Sequence, residues 1–222
     1  MIVTIDGPAG AGKSSIAQQL AAALQFEFLD TGALYRAVTL GAMRADVPMT
    51  DAAALVRYAS NIQLDWSDRR ILLDGQDVTD QIRTPEVTSH IRCIADPPDI
   101  RELLSRQQRR FAEGRDIVTE GRDQGSEVFP DAECKIFLTA SPEERAKRRH
   151  KQLEQSGQPS SYEEILAAQN QRDLEDRLRP VGRLRAARDA VIVPTDGLSS
   201  SDVLGRVLDV VRQCLARTDA AR

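Results

Sequence analysis

Lys13 and Ser14 close the run Gly7-Pro8-Ala9-Gly10-Ala11-Gly12-Lys13-Ser14, followed by Ser15. The spacing is G-x-x-x-x-G-K-[ST], and each position has a physical task. Glycines let the backbone wrap closely around a phosphate chain with successive N–H groups turned inward. Lys13 reaches the outer phosphates, and the Ser14 hydroxyl holds Mg²⁺. Four further groups of polar residues have the right chemistry to work with such a loop. Asp30-Thr31-Gly32-Ala33-Leu34-Tyr35-Arg36 places polar side chains at the start of a helical segment. Glu120-Gly121-Arg122-Asp123 follows an apolar run, with an acid that can orient Mg²⁺ or its waters and an arginine that can fork onto a phosphate. Arg145, Arg148 and Arg149 share one helical face, and Arg172, Asp176 and Arg179 share another.

The elements that must carry these residues read as alternating strand and helix. Ile2-Val3-Thr4-Ile5-Asp6 is a β-branched strand, and Ile16, Leu20 and Leu24 recur at helical spacing behind the loop. The helix beginning near Lys13 adds the positive end of its dipole to the phosphate site. Further strands are expected at Phe26-Glu27-Phe28-Leu29, Ile117-Val118-Thr119, Cys134-Lys135-Ile136-Phe137-Leu138 and Ala190-Val191-Ile192-Val193. Five strands alternating with helices predict an α/β fold of the P-loop class, a three-layer α/β/α arrangement on a five-stranded parallel sheet. Thr31 is read as the N-cap of the second helix, and Thr84-Pro85 and Ser141-Pro142 open two others. One stretch breaks the pattern. Ile62-Gln63-Leu64-Asp65-Trp66 alternates, a turn is expected at Ser67-Asp68, Arg70-Ile71-Leu72-Leu73 follows, and Asp74-Gly75 precedes Gln76-Asp77-Val78. This predicts a small antiparallel β insertion. A polar break at residues 155–160 joins two charged helices, which are expected to close as a lid over bound triphosphate. The final helix is expected from Ser199 to Leu215, with a frayed tail from Ala216.

Composition excludes several classes. The chain has 222 residues with 30 basic and 34 acidic side chains, a net charge of −4, so a basic nucleic-acid footprint is not expected. No apolar run approaches the ~20 residues that cross a membrane. The start of the chain shows no signal-peptide pattern, and Cys93, Cys134 and Cys214 are odd in number and far apart. A reducing, cytoplasmic setting is expected and a zinc site is not. His90 and His150 are the only histidines, which leaves little for Ser-His-Asp chemistry.

Taken together, the chain resembles the bacterial cytidylate kinase family. The resemblance rests on the phosphate loop, residues 30–36, the β insertion, Ile82-Arg83-Thr84-Pro85-Glu86-Val87, Gly121-Arg122-Asp123 with Val128-Phe129-Pro130-Asp131, Lys135-Ile136-Phe137-Leu138, and Arg172-Asp173 with Asp176 and Arg179. It implies a single kinase domain in three parts. These are a core (about 1–35, 112–145 and 188–222), a nucleoside-monophosphate region holding the insertion (about 36–111) and a lid (about 146–187). It implies ATP bound by Gly7, Pro8, Ala9, Gly10, Ala11, Gly12, Lys13, Ser14 and Ser15. CMP would meet Thr31, Tyr35, Arg36, Arg101, Arg122, Asp123, Arg172, Asp176 and Arg179. Lys13, Arg122, Arg148 and Arg149 would supply catalytic charge, and Ser14, with Glu120 as a second candidate, would hold Mg²⁺ through waters. The implied reaction is direct in-line transfer from ATP to CMP or dCMP by a monomer with nucleotide partners and no membrane or nucleic-acid partner. Three positions depart from the family pattern: Glu120 stands where Asp is usual, Gln124 where an apolar residue is usual, and Arg92 where a base-contacting serine falls by register. A kinase for uridylate or a non-nucleotide acceptor is the alternative. A nucleotide-binding switch is the remote one, since Asn170-Gln171-Arg172-Asp173 only partly resembles N-K-x-D.

Overall fold

The computed structural model describes residues 1–67, 70–155, 157–158 and 160–220. The chain packs as two compact units, one of Met1–Phe28 with Gly114–Arg222 and one of Leu29–Glu113.

Three strands form the middle of the first unit's sheet: β1 (Ile2–Asp6), β6 (Ile117–Gly121) and β7 (Cys134–Thr139). With β2 (Glu27–Asp30) and β8 (Val191–Pro194) the sheet is five-stranded, in the order β2-β6-β1-β7-β8. β1 runs parallel to both β6 and β7, and β7 runs parallel to β8. β6 is buried along its whole length, as a parallel strand covered on both faces must be. Its Val118, with Val3, Ile5, Ile136 and Leu138, packs against Ile16 and Leu20 of α1 (Lys13–Leu24) and Val207 and Val211 of α8 (Ser200–Ala220). Because β1 is flanked by strands that come much later in the chain, the order switches beside it. Ligands of open α/β sheets bind outside the carboxyl ends of the strands at such a point. α6 (Pro142–Gln155) and α7 (Tyr162–Leu178) complete this unit.

The second unit holds α2 (Thr31–Arg44), α3 (Ala52–Asn61), α4 (Pro85–Ala95) and α5 (Pro98–Ala112) around Leu34, Val38, Leu55, Ile94, Ile100 and Leu104. Its three-stranded antiparallel sheet is β3 (Leu64–Ser67), β4 (Arg70–Leu73) and β5 (Gln76–Asp77). Asp74 and Gly75 take positive φ, 49° and 78°, as a two-residue hairpin turn requires. Among the described residues, no helix is long and apolar enough to cross a membrane.

Several local expectations are corrected. Asp30, not Thr31, caps α2: its carboxylate accepts the Ala33 N–H at 2.9 Å, and Thr31 is the first helical residue. A carboxylate competes well for a helix start, and Arg83 steadies its other oxygen at 3.2 Å. β6 runs on through Glu120 and Gly121, because both remain in register with β1, where Ile5 pairs with Glu120. β8 is shifted to Val191–Pro194, and α8 continues through Ala220 where fraying was expected. The expected turn at Ser67-Asp68 and part of the polar break at 155–160 fall on residues 68, 156 and 159, outside the described residues.

Candidate active site

β1 delivers the chain into the phosphate loop at Asp6, and positive φ follows at Gly7 (149°), Gly10 (79°) and Gly12 (88°). At Gly7 a side chain is excluded outright, since a Cβ there would lie 2.1 Å from the Leu138 carbonyl oxygen. Gly7→Ala is therefore expected to cost more than about 2 kcal/mol, read as a lower midpoint in urea unfolding. An unchanged midpoint would mean that β7 yields without penalty. Gly12 is the N-cap of α1 and provides no side-chain cap, so no side chain of the cap competes with an anion for the first-turn N–H groups.

Inside the loop, the Lys13 ammonium donates to the Pro8 carbonyl at 2.8 Å and is only 6% exposed. Burial pushes its pKa down to about 7, and the Arg122 guanidinium pushes the same way, with Glu120 and Asp6 opposing and Arg172 adding to the fall. A cation held this way gains from an arriving polyphosphate. Asp6 mirrors it. Burial raises its carboxyl to about 7, opposed by the Gly125 N–H, raised further by Asp123, and opposed again by the Gln124 N–H and Lys13. Those N–H groups donate to Asp6 at 2.8 Å and 2.9 Å. Ser14 donates its hydroxyl to Glu120 Oε1 at 2.9 Å, so a hydroxyl oxygen and a carboxylate adjoin where a hard cation would meet phosphate. Among the described residues, no cluster of three or more His, Cys, Asp or Glu side chains forms a metal cage. A Mg²⁺ ion here fits only as one shared with nucleotide oxygens and water.

Past β6, Arg122 donates from Nε to Asp176 Oδ2 at 3.0 Å, and Arg179 reaches Asp176 Oδ1 at 2.9 Å. The Asp176 carboxylate is thus gripped from both sides while almost fully buried, its side chain 4% exposed. Asp123, next to Arg122 in sequence, is buried, and Arg172 is exposed on α7. Gln124, which departs from the family's apolar residue, is buried with its amide oxygen accepting the Thr119 hydroxyl at 3.0 Å. The arginines of α6 do not act alike. Arg148 is turned to the end of β8, donating to the Thr195 hydroxyl at 3.0 Å, the Thr195 carbonyl at 2.6 Å and Glu144 at 3.1 Å. Arg149 lies exposed against Gln152 at 2.8 Å. Ser15 is exposed on the first turn of α1.

In the second unit, Thr31 and Tyr35 are buried one turn apart on α2 and Arg36 is half-buried. Arg101 of α5 is 4% exposed, with its guanidinium 5.4 Å from the Tyr35 ring centroid and one nitrogen donating to the Ala95 carbonyl at 2.9 Å. That stack fixes the direction of a buried cation. Arg92 lies exposed on α4 and pairs with Asp96 one turn on, at 2.9 Å.

Reasoning from sequence missed the roles of Asp6 and Arg145. Asp6 had a signal, since it is a carboxylate at the end of a buried strand directly before the glycines. Arg145 had little, being one arginine in a run that reads as a solvated helix face, yet it is 2% exposed and paired with Asp173 at 2.7 Å.

A phosphate loop between β1 and α1 at the carboxyl edge of a five-stranded sheet, with an ion-paired arginine cluster beside it, defines a P-loop kinase fold. A gluconokinase structure from Sinorhizobium meliloti 1021 is similar in fold, with a TM-score of 0.51 at 18% identity, covering 99% of this chain and 97% of that one. The family model described as cytidylate kinase matches residues 3–213. A cytidylate kinase from Rhodopirellula baltica is 66% identical over 99% of this chain and 96% of its own length. A bifunctional pantoate ligase/cytidylate kinase from Synechococcus is 45% identical over 99% of this chain, which spans 42% of that protein. The chain belongs to the cytidylate kinase family.

Proposed function

We propose that the chain transfers the γ-phosphoryl group of ATP to CMP and dCMP, giving the nucleoside diphosphate and ADP by direct in-line displacement. The observation that carries this reading is the Arg122–Asp176–Arg179 cluster beside a loop whose lysine is buried and short of negative charge. Family membership supports the choice of acceptor. Residues 7–15 bind ATP, with backbone N–H groups and Lys13 on its phosphates. The acceptor is already a phosphate oxyanion at neutral pH, so no general base is required. Catalysis rests on alignment and on the positive charge of Arg122 and of Lys13, which the bound phosphates hold protonated. Arg122 takes the acceptor phosphate, while Asp176, Arg172 and Arg179 hold its sugar and phosphate side. Thr31, Tyr35, Arg36, Arg101 and Asp123 complete CMP recognition. Ser14 and Glu120 are the oxygen donors for Mg²⁺, which when bound neutralises the developing phosphate charge. Arg148 and Arg149 serve as lid arginines, and for Arg148 this requires release from Thr195. The chain works as a monomer in the cytoplasm, a setting that suits three cysteines that form no disulfide among the described residues.

Initial rates of ADP release with CMP, dCMP, UMP and a sugar acceptor test the reading directly. CMP and dCMP are expected to exceed UMP by about a hundredfold or more in kcat/KM, because a site built to hydrogen-bond one base edge leaves groups unpaired with another. Equal or faster turnover of UMP or the sugar would replace the proposed acceptor.

A further inference from the structure

Arg145 touches three segments of the first unit at once. Its Nε donates to the Ala140 carbonyl just past β7 at 3.1 Å, and Nη1 donates to the Ala9 carbonyl inside the phosphate loop at 2.9 Å. Nη2 reaches Asp173 Oδ2 on α7 at 2.7 Å. Both side chains are nearly sealed, 3% and 6% exposed. The loop packs directly on this tie: a Cβ added at Gly10 would meet Gln169 Nε2 at 3.1 Å and Arg145 Cβ at 3.2 Å. Gln169 belongs to α7 as well, and its amide nitrogen approaches the Arg145 carbonyl at 3.4 Å. The next turn of α7 carries Asp176, held by Arg122 and Arg179. One helix is therefore tied to the donor loop through Asp173 and to the acceptor-side arginines through Asp176.

We propose that Arg145 is a positioning residue that couples occupancy of the phosphate loop to the placement of α7, and so to the affinity for the acceptor. This rests on the proposed kinase reading. The guanidinium is a rigid planar fork, so a displacement of the Ala9 carbonyl when triphosphate seats in the loop is passed on to Asp173. Breaking such a buried pair is costly, which makes joint movement the cheaper response. Asp173 Oδ1 and Gln169 Oε1, one turn apart on α7, are buried acceptors with no hydrogen-bond partner among the described residues. An unmade buried hydrogen bond is expensive, so a shifted α7 has bonds to gain.

The test is the ratio of CMP affinities with and without a non-hydrolysable ATP analogue plus Mg²⁺, measured by calorimetry on the full chain. The native chain is expected to bind CMP about tenfold more tightly with the analogue present, and Asp173→Asn to bring the ratio close to one. A merely structural role would weaken binding in both conditions and leave the ratio standing. If Asp173→Asn is unfolded at the assay temperature, the double variant Arg145→Gln/Asp173→Asn, which buries no net charge, is read the same way. A native-like ratio in either folded variant, or no coupling in the native chain, overturns the inference. CMP turnover by the native chain is measured first. Its absence removes the kinase reading and this inference with it, whereas turnover with coupling intact in the variant removes the inference alone.

Discussion

Lys13→Met is expected to lower turnover about a thousandfold while leaving the melting temperature at pH 6 equal to or above that of the native chain. The two effects have one cause. Lys13 is buried in a site already carrying Arg122, and its pKa falls from 10.5 to about 7. A lysine with a depressed folded pKa binds fewer protons folded than unfolded between those two values. Its penalty therefore stands in full below pH 7 and is relieved as the pH climbs toward 10.5. Methionine fills much of the same volume without the charge, so the variant's stability advantage is greatest below pH 7 and shrinks above it. Asp6 acts in a different window. Its folded pKa is raised from 3.8 to about 7, so the stability it contributes is present at low pH and lost as the pH rises through that interval. Thermal melts between pH 7 and 10 thus isolate the lysine. ATP binding at pH 8 supplies the negative charge that the site lacks, and the native chain is expected to take up protons on binding, seen as a dependence of calorimetric enthalpy on buffer. Lys13→Met should lose that uptake. Native-like turnover in the variant would remove the lysine from the mechanism.

The features legible in the sequence are those whose physics is local. Glycines at 7, 10 and 12 announce a backbone that must take positive φ, and the structure shows it there. Asp74-Gly75 announces a hairpin for the same reason, and Thr84-Pro85 and Ser141-Pro142 announce helix starts with their caps in place. Where two neighbours can both cap, as Asp30 and Thr31 can, local chemistry does not choose, and the choice falls to a carboxylate that also meets Arg83. The arginines of α6 show the other limit. Arg145, Arg148 and Arg149 look alike in sequence, but one is buried against the loop, one is turned to Thr195 and one is exposed. Their partners, Ala9, Asp173 and Thr195, lie far along the chain, and only the packed sheet edge brings them together. Likewise nothing in Gln124-Gly125 announces that their N–H groups will hold a carboxylate from the end of β1.

Asp176→Ala is expected to raise the KM for CMP by a hundredfold or more while changing ATP affinity less than about threefold. Asp176 is 3% exposed and its two oxygens are divided between Arg122 and Arg179. Removing one member of a buried charge cluster leaves the others desolvated and uncompensated, a loss of about 3–5 kcal/mol in comparable sites. Two outcomes compete. The freed guanidiniums have more positive potential to offer an acceptor phosphate, which favours binding. They also lose the anchor that aims them, and a bidentate grip depends on fixed geometry more than on charge. Orientation is expected to prevail, because among the described residues Arg122 has one other hydrogen bond, at 3.3 Å to the neighbouring Gly121 carbonyl, to hold its direction. Asp176→Asn separates the terms. It keeps one acceptor oxygen and the shape while removing the charge, so its KM should lie between the native and alanine values if aim dominates. A KM below the native value in either variant would show that Asp176 restrains the arginines by its charge and does not aim them. Equal losses for CMP and ATP would instead place α7 outside acceptor recognition, and with it the division of the site into a donor loop and an acceptor cluster.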